Sequence, residues 1–355
     1  MRALIDVTHP SLAHVFRPVW AAWSAEGHEC AVVARDKDVT LELLRAFGIP
    51  HVVLAGVGRT QLGRARELLA REARMLSLAR RLRPHLVIGT SAHAARVAFC
   101  VGAKSAVLND DDAAAVPLFR WLSYPLASAI VTPSCLAHEG HGPRHLTYPS
   151  YHALFYLHPA RFTPDPGIRA ELGLPAGARF GIVRLSALAA HHDTGVRGLT
   201  ESLVARLRRD LPGEVRLFVT SEKPLSDELR RFALPMAAPR LHHAVALADF
   251  VLGDSQTMTA EAAVLGVPAF RLNDFVGRIS YLRELEAYGL AFGFRPGEEE
   301  KALAAVQDVV RRPDRRELFA ERRRRMLAER IDPLPWLLDR VRALVGPEPA
   351  LERPA

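Results

Sequence analysis

Lysine is nearly missing from this chain: Lys37, Lys104, Lys223 and Lys301 are the whole set in 355 residues. Arginine therefore carries the basic balance, a net charge of +8. So much arginine and alanine beside so little lysine points to a GC-rich coding bias rather than to selection for nucleic acid. Anionic substrates, or peripheral contact with an anionic membrane surface, remain compatible with the charge. Cysteine is scarce as well. Cys30, Cys100 and Cys135 are odd in number, far apart and without a C-x-x-C pair. That excludes a disulfide framework and predicts reduced thiols in a cytoplasmic protein. No uninterrupted apolar run reaches membrane-spanning length. The opening Met1-Arg2-Ala3-Leu4-Ile5-Asp6 has no long apolar core and is not read as a signal peptide.

What is present describes an α/β protein. At this length the chain suits two domains of ordinary size. Short apolar runs at residues 3–7, 29–34, 51–54, 86–89, 105–108 and 129–131 read as strands, separated by segments of helical periodicity. Gly27, Gly48 and Pro50 punctuate the first of these segments, and an arginine-rich helix is predicted over 62–82. Strands alternating with helices at this spacing imply a parallel sheet covered on both faces. A Pro- and aromatic-rich passage at 148–166 reads as a domain link. The alternation then resumes with strands at 180–185, 215–219, near Pro235, 250–252 and 269–272. One charged helix is expected over 298–329, its Arg322–Arg325 run a solvated face, and a last helix over 334–345. The expected division is a first Rossmann-like domain, 1–150, and a second, 151–330. A helix at 331–345 would return across the cleft, with a disordered tail at 346–355.

One stretch carries most of the chemical signal. An apolar run ends in Leu252-Gly253-Asp254-Ser255-Gln256-Thr257, and a helical segment with Glu261 follows, closed by Gly266 and stopped by Pro268. A helix beginning at such a turn aims unpaired N–H groups and its positive dipole end at the turn's occupant, commonly a phosphate. The same hydroxyls would equally serve as helix caps. The stretch resembles the nucleotide-diphosphate site of GT-B glycosyltransferases and non-hydrolysing UDP-N-acetylglucosamine 2-epimerases. The resemblance implies that the loop holds the diphosphate and that Glu261 holds the ribose hydroxyls. Those families usually have Gly-Gly after the serine, where Gln256-Thr257 stand here.

Other strand exits offer further groups. Asp6, His9 and His14 leave the first strand at the carboxyl edge expected to line a cleft. His9 or His14 could act as general base, or His14 could cap the first helix. Asp6, in an apolar strand, needs a partner, a local backbone N–H or a histidine. Asp110, Asp111 and Asp112 leave the fifth strand, where they could bind a divalent cation, accept from sugar hydroxyls or cap a helix. Arg184 and Ser186 end the first strand of the second half, and a guanidinium grips a diphosphate well. His191 and His192 are expected in a loop over the nucleotide, and Glu222 follows the next strand.

Taken together, Asp-Val-Thr-His-Pro at the start, Ala34-Arg35-Asp36, Ala95-Arg96-Val97-Ala98, the Asp110-Asp111 turn, Tyr156-Leu157-His158-Pro159, Val183-Arg184 and the 257–268 segment resemble the DUF354 family. These are GT-B-like proteins of uncertain activity, and the resemblance runs in order to about residue 297. One departure is Thr90-Ser91-Ala92-His93, where a glycine-containing turn would be expected. The resemblance implies a GT-B-like α/β fold, two Rossmann-like domains facing each other across a cleft. The expected function is a metal-independent glycosyltransferase using a nucleotide-diphosphate sugar donor, a UDP-sugar first, and a hydroxyl-bearing acceptor. Arg184, Ser186, Ser255, Gln256, Thr257 and Glu261 would bind the nucleotide, and Asp6, His9, His14 or Asp110 would take the acceptor proton. A sugar-nucleotide 2-epimerase is the alternative reading, with Asp110–Asp112 and His191 or His192 as acid–base groups. A GT-B scaffold that binds without turnover is a third. No cofactor, metal or nucleic-acid partner is expected.

Overall fold

The computed structural model describes residues 1–56, 61–175, 177–186 and 198–346. The chain divides into two compact units, Met1–Tyr156 with Ile331–Ala355, and Leu157–Arg330. The expected boundary at 150 thus falls six residues later, at the Tyr156–Leu157 junction. The last helix, Pro333–Val345, belongs with the first unit, where it packs on helix Pro10–Ala25 and beside the strand Lys104–Leu108.

The first unit is built on seven strands: β1 (Arg2–Val7), β2 (Glu29–Asp36), β3 (His51–Gly56), β4 (Leu86–Gly89), β5 (Lys104–Leu108), β6 (Ala129–Pro133) and β7 (His145–Tyr148). They are parallel, in the order β3-β2-β1-β4-β5-β6-β7. The second unit holds β8 (Arg179–Leu185), β9 (Val215–Ser221), β10 (Phe250–Gly253), β11 (Ala269–Leu272) and β12 (Ala291–Phe294), also parallel, in the order β12-β11-β10-β8-β9. Central strands of a parallel sheet are covered on both faces and read as unbroken apolar runs. β4, β10 and β11 are buried throughout. At the edge, Val52 and Val53 of β3 stay half exposed.

In each sheet the strand order reverses once between neighbours: at β1/β4 in the first and β8/β10 in the second. At such switch points the connections leave in opposite directions and open a crevice at the strands' carboxyl ends.

The edges are also where the sequence reading falls short. β7 and β12 were not expected; each is a four-residue edge strand, only partly buried, without the apolar run of a central strand. The strand expected near Pro235 is a single bridge between Val219 and Ala233. Proline offers no N–H to extend it. The single helix expected over 298–329 is two, Glu299–Arg311 and Arg315–Glu329, parted at Pro313, which disfavours helical geometry in Arg312. Nor is the Arg322–Arg325 run simply solvated: Arg322 donates to the Gly289 carbonyl at 2.7 Å and Arg323 to that of Val264 at 2.9 Å.

Candidate nucleotide and acid–base sites at the strand switch points

The second unit's switch point brings Arg184 and the Gly253-Asp254-Ser255 turn together. Gly253 is Arg184's partner in the β8/β10 register, and a Cβ on Gly253 would lie 3.2 Å from that of Arg184. The Arg184 guanidinium donates to Thr220 at 3.1 Å and to the carboxylate of Glu222, both at the end of β9. Its side chain is still one-fifth exposed. Asp254 is buried, and its carboxylate accepts the Ser186 N–H at 2.7 Å, which ties the exit of β8 to that of β10. Burial pushes the Asp254 carboxyl above its ordinary range, against the pull of its backbone donors. The Asp254 carbonyl takes the Asn273 amide at 2.8 Å, so the turn is held from β11 as well.

Ser255 caps helix Gln256–Val264, accepting the Met258 N–H at 3.2 Å. The cap reading of Ser255 therefore holds. Gln256 and Thr257, in the helix's first turn, are half-buried. Glu261, which the resemblance makes the ribose partner, is not open to solvent. It is 6 % exposed, and its carboxylate meets His242 Nε2 at 3.0 Å. If Glu261 holds a ribose, Glu261→Ala should weaken nucleotide-diphosphate binding by about 1–3 kcal/mol and also lower folding stability on a similar scale, because the buried pair with His242 is broken. Glu261→Gln keeps an acceptor for His242 and should lose affinity with little loss of stability. Calorimetry with UDP beside thermal melts separates the two effects, and parental affinity in both variants would remove Glu261 from the site. His191 and His192 lie outside the described residues.

The first unit's switch point holds a buried polar network. Asp6 in β1 is fully buried; its Oδ1 receives Arg71 and its Oδ2 receives the Ser91 hydroxyl. The expected partners, a backbone N–H or a histidine, are replaced by these two, and with both oxygens engaged Asp6 reads as structural rather than as a base. β4 must approach Asp6 closely for this. A Cβ on Gly89 would sit 2.8 Å from that of Asp6. Ser91 and His93 explain the departure at residues 90–93. His93 is 4 % exposed and paired with Glu72 at 3.1 Å, and Glu72 also takes Arg96 at 3.0 Å. Burial, then the charge of Arg71, holds the His93 pKa below its ordinary value.

His9, not His14, caps the first helix. His9 Nδ1 lies 2.9 Å from Ser11 Oγ and 3.3 Å from Ser11 N. As the cap, Nδ1 accepts the Ser11 N–H, so in the neutral ring Nε2 carries the hydrogen, and action as a base at Nε2 requires the other tautomer. His14 is 9 % exposed and its ring packs on Phe47 and Tyr156, each at 5.2 Å. That is a core position.

The three aspartates after β5 diverge. Asp110 meets His152 Nδ1 at 3.0 Å. Asp111 closes a turn in which its N–H donates to Asn109 Oδ1 at 3.3 Å. Asp112 approaches His138 and Glu139, the ligand-capable atoms of the three lying within 4.8 Å of one another. Arg71, Ser91, His93, His152, His242 and Asp254 were absent from the sequence-based site, since each gains its meaning from a distant partner.

No protein-family model matches the sequence, so membership of DUF354 is not shown, and no curated protein matches. Solved structures do. A putative UDP-N-acetylglucosamine 2-epimerase from Listeria monocytogenes is 14% identical, with a TM-score of 0.71 over 97% of this chain and 96% of that one. The UDP-GlcNAc 2-epimerase from Neisseria meningitidis, bound to UDP-GlcNAc, is 12% identical, with a TM-score of 0.70 over 96% and 99%. A spinosyn rhamnosyltransferase is 16% identical, with a TM-score of 0.64 over 97% and 99%. At these identities the likeness is one of fold: the chain has the GT-B-like α/β architecture shared by glycosyltransferases and sugar-nucleotide epimerases.

Proposed function

We propose that this protein is a glycosyltransferase that takes a sugar from a nucleotide-diphosphate donor, a UDP-sugar first among them, and delivers it to a hydroxyl-bearing acceptor. The observation that carries the reading is Arg184 in register with Gly253, one residue before the Asp254-Ser255 turn, at the switch point of the second sheet. A guanidinium beside the amino end of a helix is a cationic cradle for a diphosphate. It neutralises the leaving group without a metal. Glu261 would take the ribose, and His9 the acceptor proton. Among proteins of the same fold, the Neisseria meningitidis structure is bound to UDP-GlcNAc and another is a co-structure with UDP.

A 2-epimerase is the second reading, favoured by Asp110, whose carboxylate is oriented by His152 at the carboxyl edge of β5. An acid–base group there suits proton transfer at a sugar carbon. Incubation with a panel of nucleotide sugars and hydroxyl acceptors separates the readings. Free nucleoside diphosphate with a glycosylated acceptor supports the transferase, an inverted nucleotide sugar the epimerase, and nucleotide binding without product a scaffold. Turnover should persist in excess EDTA. Loss restored by Mn²⁺ or Mg²⁺ would instead bring Asp112, His138 and Glu139 into the mechanism.

A further inference from the structure

Helix Pro117–Ser123 carries its apolar stripe outward. Leu118, Trp121 and Leu122 stand at i, i+3 and i+4, one face of a helix, and are 63%, 81% and 40% exposed. Phe119 turns the other way, its ring edge-on to buried Tyr124 at 5.8 Å. Ser123, also buried, donates to the Phe119 carbonyl at 2.6 Å, so packing fixes which face points out. Helix Ala92–Val101 packs alongside and carries Phe99, 69% exposed, in its last turn. Exposed aromatic and aliphatic side chains gathered this way mark an interaction surface.

Charge decides what the surface meets. No Asp or Glu occurs from Ala73 to Asn109 or from Ala113 to His138, which span both helices. Lys104 and Arg120 are exposed there, and Glu72 of the neighbouring helix Gln61–Leu82 is already answered by His93 and Arg96. A second copy docked on the same face would set these cations against each other. Anionic headgroups would neutralise them. Tryptophan, apolar in body with a polar N–H, prefers the headgroup boundary. Among the described residues no helix is long and apolar enough to cross a membrane.

We propose that helix Pro117–Ser123, with Phe99, seats this protein on an anionic lipid bilayer surface, Trp121 entering at headgroup depth. The surface is independent of the reaction the protein catalyses. Flotation of the full chain with vesicles of phosphatidylcholine, alone or mixed with phosphatidylglycerol, tests it. The chain should float with the mixed vesicles at low salt and be released by added salt. Trp121→Glu should lower that partition by about 10-fold or more, and Arg120→Gln by about 5-fold. Both side chains are exposed, so the fold should be kept. Brominated lipid should quench the fluorescence of the parent chain, and Trp121→Phe should abolish the quenching. No flotation, equal flotation on neutral vesicles, or partition unchanged by Trp121→Glu would overturn the proposal. So would a concentration-dependent dimer that Trp121→Glu dissolves, since that would give the face to a second copy.

Discussion

Arg71→Ala is expected to cost the first unit about 3–5 kcal/mol of folding stability, the scale of a buried ion pair broken from one side. The loss is large because of what remains. Asp6 is 0% exposed in the central strand β1, and with Arg71 gone its carboxylate keeps only the Ser91 hydroxyl. From the β4 side Gly89 already stands at close approach to Asp6, which leaves no room there for a new partner. The pair is not in itself a large stabiliser. Asp6→Leu with Arg71→Leu should recover most of the loss, because well-packed apolar residues often match a buried pair. Amide exchange in β1 and β4 reports on this unit alone, which a global melt of a two-unit chain does not. Protection in Arg71→Ala within about 1 kcal/mol of the parent would show that Asp6 is satisfied by other means.

His9→Asn should lower turnover by about 10²–10⁴, the usual contribution of a general acid or base, equivalent to about 3–5 kcal/mol of barrier. Asparagine is the informative replacement because His9 has a second task. Its Nδ1 caps helix Pro10–Ala25, and loss of a cap alone costs about 0.5–2 kcal/mol of stability. Asparagine is itself a good N-cap, so His9→Asn keeps the helix start while removing the basic nitrogen. Affinity for the nucleotide, which in the proposed function rests on Arg184 and the Ser255 turn of the other unit, should be nearly unchanged. Calorimetry with UDP beside a product assay makes the comparison. Parental turnover in His9→Asn would move the base to Asp110, where Asp110→Asn is the corresponding test.

Both predictions lean on contacts that local sequence does not announce. The limits of β11 agree residue for residue with those read from the apolar run, and those of β4 likewise. Buried parallel strands announce themselves because both faces must be apolar. The polar break after β10 was legible for the same reason, but its extent was not: it was read over 253–257, and the helix begins inside it at Gln256. Partnership was not legible. Asp6 meets Arg71 and Ser91, 65 and 85 residues away, and Glu261 meets His242 on another helix. A lone acid in an apolar strand says only that a partner exists; the sheet order decides which. For His9 and His14 the pattern could not choose, because one helical turn separates a strand-end cap from a core position. The divergence of Asp110, Asp111 and Asp112 was hidden too, since consecutive loop residues share no face.

The return of residues 331–345 to the first unit bears on how the protein is made. Ile331 pairs with the strand exit at Pro149 and Ser150, its N–H donating to the Pro149 carbonyl at 3.1 Å and its carbonyl accepting from Ser150 Oγ at 2.7 Å. Trp336 then lies against Tyr148, centroids 5.5 Å apart, and Arg342 reaches Glu26 at 3.3 Å. During synthesis the ribosome delivers β1–β7 first but withholds their final cover until all of Leu157–Arg330 has emerged. The second unit, one continuous segment, can complete itself in the exit order. The first must wait, with Tyr148 lacking Trp336 and helix Pro10–Ala25 lacking the final helix. The unit begun earliest is therefore finished last, and in the interval its uncovered apolar surface is the part of the nascent chain most in need of a chaperone.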